Sequence, residues 1–431
     1  MPVRLHSAQA DFADAFATLL AAKREISEDV DASVKAIIED VVARGDAAVI
    51  DYTARFDRLT LSAETMRVTT AEIEAAHAQC DAGALEALAL AASRIRAYHE
   101  RQKPVDTLFK DALGVELGWR WTAIEAVGLY VPGGTAAYPS SVLMNAIPAK
   151  VAGCPRLVMV VPSPGGVLNP LVLAAAKLAE VDEVYRIGGA QAVAALAYGT
   201  RTIAPVAKIT GPGNAYVAAA KRRVFGHVGI DMIAGPSEVL VIADDSANPA
   251  WIAADLLAQA EHDSASQSIL ITDSPALAEA VEREVEAQLA TLPRAEIAGA
   301  SWRDYGALIT LSSLDEAPPL ADRLAAEHLE IVTRDAEVLA GRIRNAGAIF
   351  LGGHTPEAIG DYVGGSNHVL PTARSAKFSS GLGVLDFMKR PSILKCGPEQ
   401  LAALGPAAIA LGEAEGLAAH ARSVSIRSNR L

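Results

Sequence analysis

The stretch Val184-Tyr-Arg-Ile-Gly-Gly-Ala-Gln-Ala-Val-Ala-Ala-Leu-Ala-Tyr198 reads as an apolar strand, a double-glycine turn and a helix. The same succession surrounds it in the chain. Strands are predicted at 124–132, 157–161, 184–187 and 206–210, with helices at 171–179, 188–198 and 211–223. Strands that alternate with helices form parallel sheets with right-handed crossovers. This region therefore predicts an α/β domain.

A second alternating section follows the first. Strands are predicted at 239–243, 268–272, 307–311, 330–333 and 348–351, and helices at 251–261, 276–289, 320–326 and 338–345. Near the N-terminus the apolar spacing is that of helices, at 29–44 and 71–99. The predicted fold class is α/β, with two Rossmann-like parallel-sheet domains, one inserted in the other, a helical N-terminal segment and an extended C-terminal tail.

The predicted domain boundaries follow these changes in pattern. They give an N-terminal helical segment at 1–25 and a first α/β domain at 26–128 and 239–378. The inserted α/β domain covers 129–238, and the tail covers 379–431, where only short helical pieces without clear strands are predicted.

Composition limits the possible classes of protein. The 431 residues are 51% apolar and 21% charged, which is typical of a soluble globular enzyme of more than one domain. The net charge of −13 argues against a nucleic-acid partner, and no apolar run approaches the ~18–20 residues that cross a bilayer. Cys80, Cys154 and Cys396 predict free thiols in a reducing compartment. Because the N-terminus also lacks a signal-peptide apolar region, we expect a cytoplasmic protein.

Three glycine turns follow predicted strands: Gly133-Gly134, Gly188-Gly189 and Gly211-Pro-Gly213. None fits the G-x-G-x-x-G dinucleotide fingerprint, and each one alone is better read as a plain turn. Ligands bind at the carboxyl ends of the strands in an open α/β sheet, so three such turns in one domain indicate a nucleotide site. The polar residues that accompany the turns are Tyr130, Gln191 and Asn214.

A polar island, Gln259-Ala-Glu-His262, ends a predicted helix that Asn248 can cap. Gln259 lies seven residues after Ile252 and so continues its apolar face. An amide oxygen and an imidazole nitrogen at this spacing can converge on one cation. The alternative is a hydrogen-bonded core glutamine beside a surface histidine.

A second island places Glu327 beside His328 at a predicted helix-to-strand junction. At a turn both side chains can point into one cleft, where Glu327 can activate water and His328 can take a proton from a hydroxyl group. The alternative is an exposed, charged helix end.

Further polar residues stand in or beside glycine-containing segments. Asp361 and His368 bracket a glycine-rich loop, and such a loop in an apolar chain indicates a functional loop. Glu415 and His420 flank Gly416 near the C-terminus, and they can converge only if Glu415 precedes the helix. Ser237 lies at a turn before a strand, where it can contact a ligand or simply cap the turn.

Taken together, these segments resemble the histidinol dehydrogenase family. The resemblance runs from about residue 20 to the C-terminus. It is carried by Ile230-Asp-Met-Ile-Ala-Gly-Pro-Ser-Glu238, Gln259-Ala-Glu-His262, Ala326-Glu-His-Leu-Glu330, Gly360-Asp-Tyr362, Asn367-His-Val-Leu-Pro-Thr372, Glu415 with His420, and the glycine turns.

The resemblance implies a zinc enzyme that oxidises L-histidinol to L-histidine, through L-histidinal, with two NAD⁺, as the last step of histidine biosynthesis. The implied zinc ligands are Gln259, His262, Asp361 and His420. This mixed oxygen and nitrogen set suits a hexacoordinate ion with two positions open to the substrate's imidazole and amino nitrogens.

The resemblance also implies residue roles and a partner. His328 is the implied base and Glu327 the implied activator of water. The implied contacts to L-histidinol are Ser237, Gln259, His262, His328, Asp361, His368, Glu415 and His420, and those to NAD are Tyr130, Gln191 and Asn214. A homodimer is implied, in which each C-terminal tail completes the partner's site.

Two other functions stay open at this point. One is a zinc- and NAD-dependent dehydrogenase of another polar alcohol, such as a sulfonated diol. The acidic Glu415 and neutral His368 favour histidinol over a sulfonate, which would require arginine or lysine. The other is a zinc- or nucleotide-binding protein without catalysis, which would leave Glu327 and His328 without a task.

Overall fold

The computed structural model describes residues 2–21, 28–133, 138–233 and 235–428. Three of the sequence predictions fall partly outside this range. They are Gly134 of the first glycine turn, the boundary between residues 25 and 26, and residue 234 of the segment before Ser237.

The strands of the described residues are grouped in two parallel sheets and two small antiparallel ones. In chain order they are β1 (Val3–His6), β2 (Thr107–Lys110), β3 (Glu116–Trp119), β4 (Thr122–Ala123), β5 (Ala126–Tyr130), β6 (Arg156–Val160), β7 (Glu183–Tyr185), β8 (Lys208–Thr210), β9 (Gly229–Ile230), β10 (Glu238–Ala243), β11 (Gln267–Thr272), β12 (Ala307–Thr310), β13 (His328–Val332), β14 (Ala348–Leu351), β15 (Met388–Lys389) and β16 (Ser392–Lys395).

The α-helices connect and cover these strands. They are α1 (Phe12–Ala21), α2 (Glu28–Arg44), α3 (Asp46–Phe56), α4 (Thr70–Gln79), α5 (Ala82–Glu100), α6 (Pro139–Ala152), α7 (Pro170–Leu178), α8 (Gly189–Tyr198), α9 (Ala215–Val224), α10 (Pro249–Ala260), α11 (Pro275–Leu289), α12 (Ala295–Tyr305), α13 (Ala317–Leu324), α14 (Ala336–Ala340), α15 (Glu357–Tyr362), α16 (Pro398–Ala414) and α17 (Ala418–Ser425).

The five-stranded parallel sheet has the order β7-β6-β5-β8-β9. Its central strand β5 is buried at every residue, as expected for a parallel strand that helices cover on both faces. After β5 the chain adds β6 and β7 on one side of that strand, and it then crosses back to add β8 and β9 on the other side. The gap between these two connections, at the carboxyl ends of the strands, is where open α/β sheets bind ligands.

The six-stranded sheet has the order β1-β12-β11-β10-β13-β14, and all of its pairs are parallel. The two parallel sheets confirm the predicted α/β class. In chain order, all five strands of the other sheet fall between β1 and β10. That order agrees with an inserted domain, which stays a prediction.

Two predicted segments differ from the structure. The N-terminal segment, predicted to be helical at 1–25, begins with strand β1, which pairs with β12. The tail, predicted to lack strands, contributes β15 and β16, which pair with β4 and β3 in the small antiparallel sheets. These strands are too short to have a period of their own, and their pairing partners lie hundreds of residues away.

The helices before residue 100 pack against the five-stranded sheet. Helix α2 contacts α8 and α9, α4 contacts α7, and α5 contacts α6. Their apolar residues, such as Val34 and Ile95, lie in the two apolar clusters that enclose this sheet. These contacts favour grouping residues 28–100 with the five-stranded sheet, whereas the sequence grouped them with the other one. The predicted boundary at 128/129 falls inside β5.

Among the described residues, no helix has both the length and the apolar character needed to span a membrane. All three cysteines are unpaired.

Candidate functional site

The candidate site lies where the two parallel sheets meet. The first residues of β10 and β13 form one wall, and the turn after β8 forms the other. A pocket between them is lined by Gly211 and Asp231 on one side and by Ser237, Glu327 and His368 on the other. The site therefore uses the carboxyl edge of the five-stranded sheet and the amino edge of the six-stranded sheet.

Glu327 and His328 stand at the junction that the sequence predicted. Helix α13 ends because Ala325 adopts a left-handed backbone conformation, with φ of 45°, and β13 begins at His328. Both side chains are buried, at 6% and 4% exposure, and His328 Nδ1 lies 3.8 Å from Glu327 Oε2. The alternative of an exposed helix end is therefore wrong.

The backbone of Glu238 holds both of these side chains. Its N–H donates to Glu327 Oε2 at 2.9 Å, and its carbonyl oxygen lies 3.2 Å from His328 Nδ1. Because a carbonyl oxygen only accepts, Nδ1 must carry the proton in this contact. In neutral His328 the free lone pair is therefore on Nε2, which faces Asp361 Oδ1 at 3.7 Å.

Burial and like charge shift the titration of this cluster. Burial raises the pKa of Glu327 to about 7. Burial by itself would lower the pKa of His328, but the carboxylates of Glu357, Glu327 and Asp361 together raise it well above its usual value. Burial by itself would raise the pKa of Asp361, but the nearby imidazoles of His328, His368 and His262 lower it. Strongly shifted carboxyl and imidazole groups in a cleft are typical of an active site.

Glu357 belongs to this cluster and was missed from the sequence. It is 1% exposed, and its Oε2 lies 3.5 Å from His328 Nδ1. Burial raises the pKa of Glu357 to about 8. The signal that could have found it is its position four residues before Asp361, since i and i+4 side chains share a helix face.

The predicted metal ligands Gln259, His262 and Asp361 lie near one another. With its amide turned to satisfy both neighbours, Gln259 donates to Glu357 Oε1 at 2.8 Å and accepts from the Glu238 N–H at 3.1 Å. His262 is exposed in the single chain, as the alternative of a core glutamine beside a surface histidine expected. Partial desolvation lowers its pKa, and the carboxylate of Asp361 opposes that shift. Oxygen and nitrogen donors of this kind suit zinc.

The tail residues do not join this group within one chain. Glu415 and His420 are both exposed, at the end of α16 and in α17, and the helix that α17 chiefly contacts is α16. Over the described part of the chain, no three His, Cys, Asp or Glu side chains are gathered closely enough to hold a metal. Gln259, His262 and Asp361 therefore lie apart from His420 within one chain, and their binding of zinc stays a prediction.

The predicted contacts Ser237 and His368 both line the pocket. His368 Nδ1 lies 2.9 Å from the Asp361 carbonyl oxygen, and its Nε2 lies 3.3 Å from Ser141 Oγ. Burial lowers the pKa of His368, so this ring is neutral at physiological pH.

The predicted cofactor residues surround the carboxyl ends of β5, β7 and β8. The Tyr130 hydroxyl accepts a hydrogen bond from Gly189 N at 3.0 Å, and Asn214 caps α9. Gln191 is 1% exposed, and its Oε1 has no hydrogen-bond partner in the described structure. A buried acceptor without a donor fits a missing ligand, because buried polar groups are normally paired. The residues present therefore fit a dinucleotide.

Comparison with known proteins gives one consistent result. The family model for histidinol dehydrogenase matches residues 20–428. The histidinol dehydrogenases of Rhodopseudomonas palustris and Bradyrhizobium diazoefficiens are each 72% identical, with 100% of both chains covered. The crystal structure of histidinol dehydrogenase from Elizabethkingia anophelis has a TM-score of 0.94 at 37% identity, covering 99% of this chain and 98% of that chain. The chain therefore belongs to the histidinol dehydrogenase family and is an oxidoreductase.

Proposed function

We propose that this chain oxidises L-histidinol to L-histidine by way of L-histidinal, with two NAD⁺ and one zinc ion, in the last step of histidine biosynthesis. The proposal rests on the buried pair of Glu327 and His328. The backbone of Glu238 holds both side chains, and His328 Nε2 faces Asp361. Two successive oxidations at one carbon require a base for hydroxyl protons and a base for water, and this pair offers both.

His328 acts in both oxidations. In its neutral form, which the neighbouring carboxylates make strongly basic, it accepts the proton of the substrate hydroxyl at Nε2 as that carbon loses hydride, which gives the aldehyde. After hydration it accepts a hydroxyl proton of the diol in the same way, which gives the carboxylic acid. Bound NAD⁺ would accept the hydride of each oxidation. Tyr130, Gln191 and Asn214 are the residues we propose to contact this cofactor.

Glu327 acts between the two oxidations. Its carboxylate takes a proton from water as the water oxygen bonds to the aldehyde carbon. The aldehyde oxygen receives the proton that His328 took in the first oxidation, which gives the diol and returns His328 to its neutral form. A pKa of about 7 leaves a large fraction ionised at neutral pH and keeps the group basic enough to accept a proton.

Gln259, His262 and Asp361 are the residues of one chain that would hold zinc, and His420 of the partner subunit would complete the set. Bound zinc would orient the substrate through its imidazole and amino nitrogens. The fit is partial within one chain, because His420 is exposed in the tail. Glu415 and the pocket residues Ser237 and His368 would contact the same substrate.

We further propose a homodimer in the cytoplasm, in which the tails are exchanged. The tail supports this through its exposed apolar side chains, which include Leu394 at 69% and Leu411 at 65%. Apolar side chains clustered on an exposed segment are typical of a surface that a partner covers.

The test is product analysis with purified protein, zinc and NAD⁺. We expect L-histidine and NADH from L-histidinol, and no NADH from a sulfonated diol. If the sulfonated diol gave NADH and L-histidinol did not, the proposed substrate would be an alcohol of the sulfonated class. Binding of zinc and NAD⁺ without turnover of either alcohol would contradict a catalytic role.

A further inference from the structure

We propose that Asp57 binds the adenosine ribose of NAD, accepting hydrogen bonds from its hydroxyl groups, and that it thereby selects NAD over NADP. The inference rests on the proposed use of NAD, and it concerns a residue to which neither the sequence patterns nor the mechanism above gives a role.

The position of Asp57 in the fold is the first observation. It follows helix α3, outside the five-stranded sheet, yet it lies against the loop that follows β6. Its carbonyl oxygen accepts from Gly165 N at 2.7 Å, and its carboxylate accepts a hydrogen bond from the backbone of Ser163. In the chain order of this sheet β6 is the second strand, beside the first strand β5. In dinucleotide-binding sheets of this order, an acidic residue in this region binds the ribose hydroxyls.

The incomplete hydrogen bonding of Asp57 is the second observation. The residue is 9% exposed, and its Oδ2 has no hydrogen-bond partner in the described parts of the chain. A buried carboxylate oxygen without a donor is costly, so such groups are normally satisfied by protein, water or ligand. A ribose offers two adjacent O–H donors, which is the chemistry that Oδ2 lacks. Burial raises the pKa of Asp57, in agreement with a shortage of donors.

The local charge determines which dinucleotide fits. NADP carries a phosphate group on the ribose 2′-oxygen, and the carboxylate of Asp57 would repel it. Two arginines lie near Asp57. Arg58 follows it in the chain and is exposed, and Arg186 binds Glu72 through Nη2 at 2.7 Å while its Nε has no hydrogen-bond partner among the described residues. The buried carboxylate of Asp57 is therefore the feature of this region that favours a free 2′-hydroxyl.

The test is equilibrium binding, by calorimetry and by NADH fluorescence, without substrate. The ligands are NAD⁺, NADP⁺ and an NAD⁺ that lacks the adenosine 2′-hydroxyl. We expect Asp57→Ala to bind NAD⁺ roughly 10- to 100-fold more weakly, which is the usual effect of losing a hydrogen bond to a charged group. This variant should no longer distinguish NAD⁺ from the 2′-deoxy analogue.

Two further variants make the test specific. Asp57→Asn keeps an acceptor oxygen, so this variant should fold normally. Because it removes the negative charge that would repel the 2′-phosphate, the ratio of its affinities for NAD⁺ and NADP⁺ should be smaller than that of the wild type. Asp46→Asn is the matched control, because Asp46 is a buried carboxyl group at the other end of α3 that is satisfied by Thr202 Oγ1 at 2.8 Å. Its NAD⁺ affinity should equal that of the wild type.

The outcomes separate this inference from the proposed function. If the wild type binds NAD⁺ and both Asp57 variants bind it equally well, with an unchanged preference over NADP⁺, the inference is overturned while the function stands. If the wild type binds no dinucleotide, the proposed cofactor is overturned as well.

Discussion

At the scale of single residues, the reactive pair depends on Glu238. Its N–H fixes Glu327 and its carbonyl oxygen fixes the tautomer of His328, so one residue at the start of β10 orients both groups. Because β10 and β13 are neighbours in the sheet, this geometry is built into the strand register. General acid–base groups held in this way need no reorganisation when substrate binds.

Replacement of the two groups should separate the two oxidations. We expect Glu327→Gln to slow oxidation of histidinal by ~10²–10⁴-fold while formation of the aldehyde is less affected, because the amide cannot activate water. His328→Ala should slow both steps. The measurement is stopped-flow NADH formation from histidinol and from histidinal. Normal histidinal oxidation by Glu327→Gln would contradict the role assigned to Glu327, and the exposed Glu337→Gln is the control.

A pair of carboxyl groups behind the site makes stability depend on pH. Burial raises the pKa of Asp255 to about 6 although its hydrogen bond to Glu330 opposes the shift, and burial together with Asp255 raises that of Glu330. The pKa of Asp255 in the folded protein therefore exceeds the ordinary value of 3.8 that it has in the unfolded chain. Proton binding therefore stabilises the fold below about pH 4, and this contribution disappears as the pH rises through about 6.

Asp255→Asn should remove that dependence. In urea unfolding between pH 4 and 7, the variant should gain stability relative to the wild type as the pH rises, by about 1–2 kcal/mol at pH 7. Equal pH profiles for the two proteins would show that Asp255 does not titrate in this range.

At the scale of elements, a buried ion pair holds the turn between β8 and α9. Lys221 pairs with Asp231, and the two side chains are 2% and 1% exposed. Lys221 Nζ donates to the Gly211 carbonyl oxygen at 2.9 Å, and Asp231 Oδ2 accepts from Gly211 N at 2.8 Å. Gly211 has φ of +110°, and a Cβ there would lie 2.1 Å from the Tyr130 carbonyl oxygen. The turn therefore requires glycine at position 211, and Lys221 and Asp231 hold the backbone carbonyl and N–H of this residue.

Lys221→Met should destabilise the protein by about 3–5 kcal/mol, because it leaves Asp231 as an uncompensated buried charge. Lys221→Met with Asp231→Leu should recover most of that loss. Chemical denaturation measures both effects. If the single and double variants were equally destabilised, the loss would come from the hydrogen bonds that hold the turn and not from the unpaired charge of Asp231.

The sequence predicts elements well where the apolar period is long. Strands β5, β6, β10, β11 and β14 and helices α7, α8, α10 and α11 lie within a few residues of their predicted places. Strand β1 and helices α3 and α12 were not predicted. Pairing of β1 with β12 depends on contact between residues about 300 positions apart, such as Val3 and Ala307, which no local pattern records. Glu357 was missed for the same reason, since its burial against His328 is tertiary.

At the scale of the whole molecule, the pocket lies between the two parallel sheets, and the proposed zinc site also needs the tail of a second chain. Gln259, His262 and Asp361 lie near one another in one chain, whereas His420 lies in the tail. A closed two-fold dimer is the simplest assembly in which each tail reaches its partner's site.

Exchange of tails should allow two inactive variants to complement each other. His420→Asn and His328→Ala, unfolded together and refolded, should regain about a quarter of wild-type activity, since half of the dimers are mixed and each has one complete site. His420→Asn alone should bind less zinc. Mixtures that stay inactive would mean that His420 acts within its own chain or has no part in the site.

The most direct test of the account is the number of NADH formed per L-histidinol consumed, before zinc removal, after it and after zinc is restored. We expect two NADH per substrate, lost with zinc and regained with it. One NADH with accumulation of histidinal, or turnover that does not depend on zinc, would contradict the assignment of a zinc-dependent four-electron oxidation to this site.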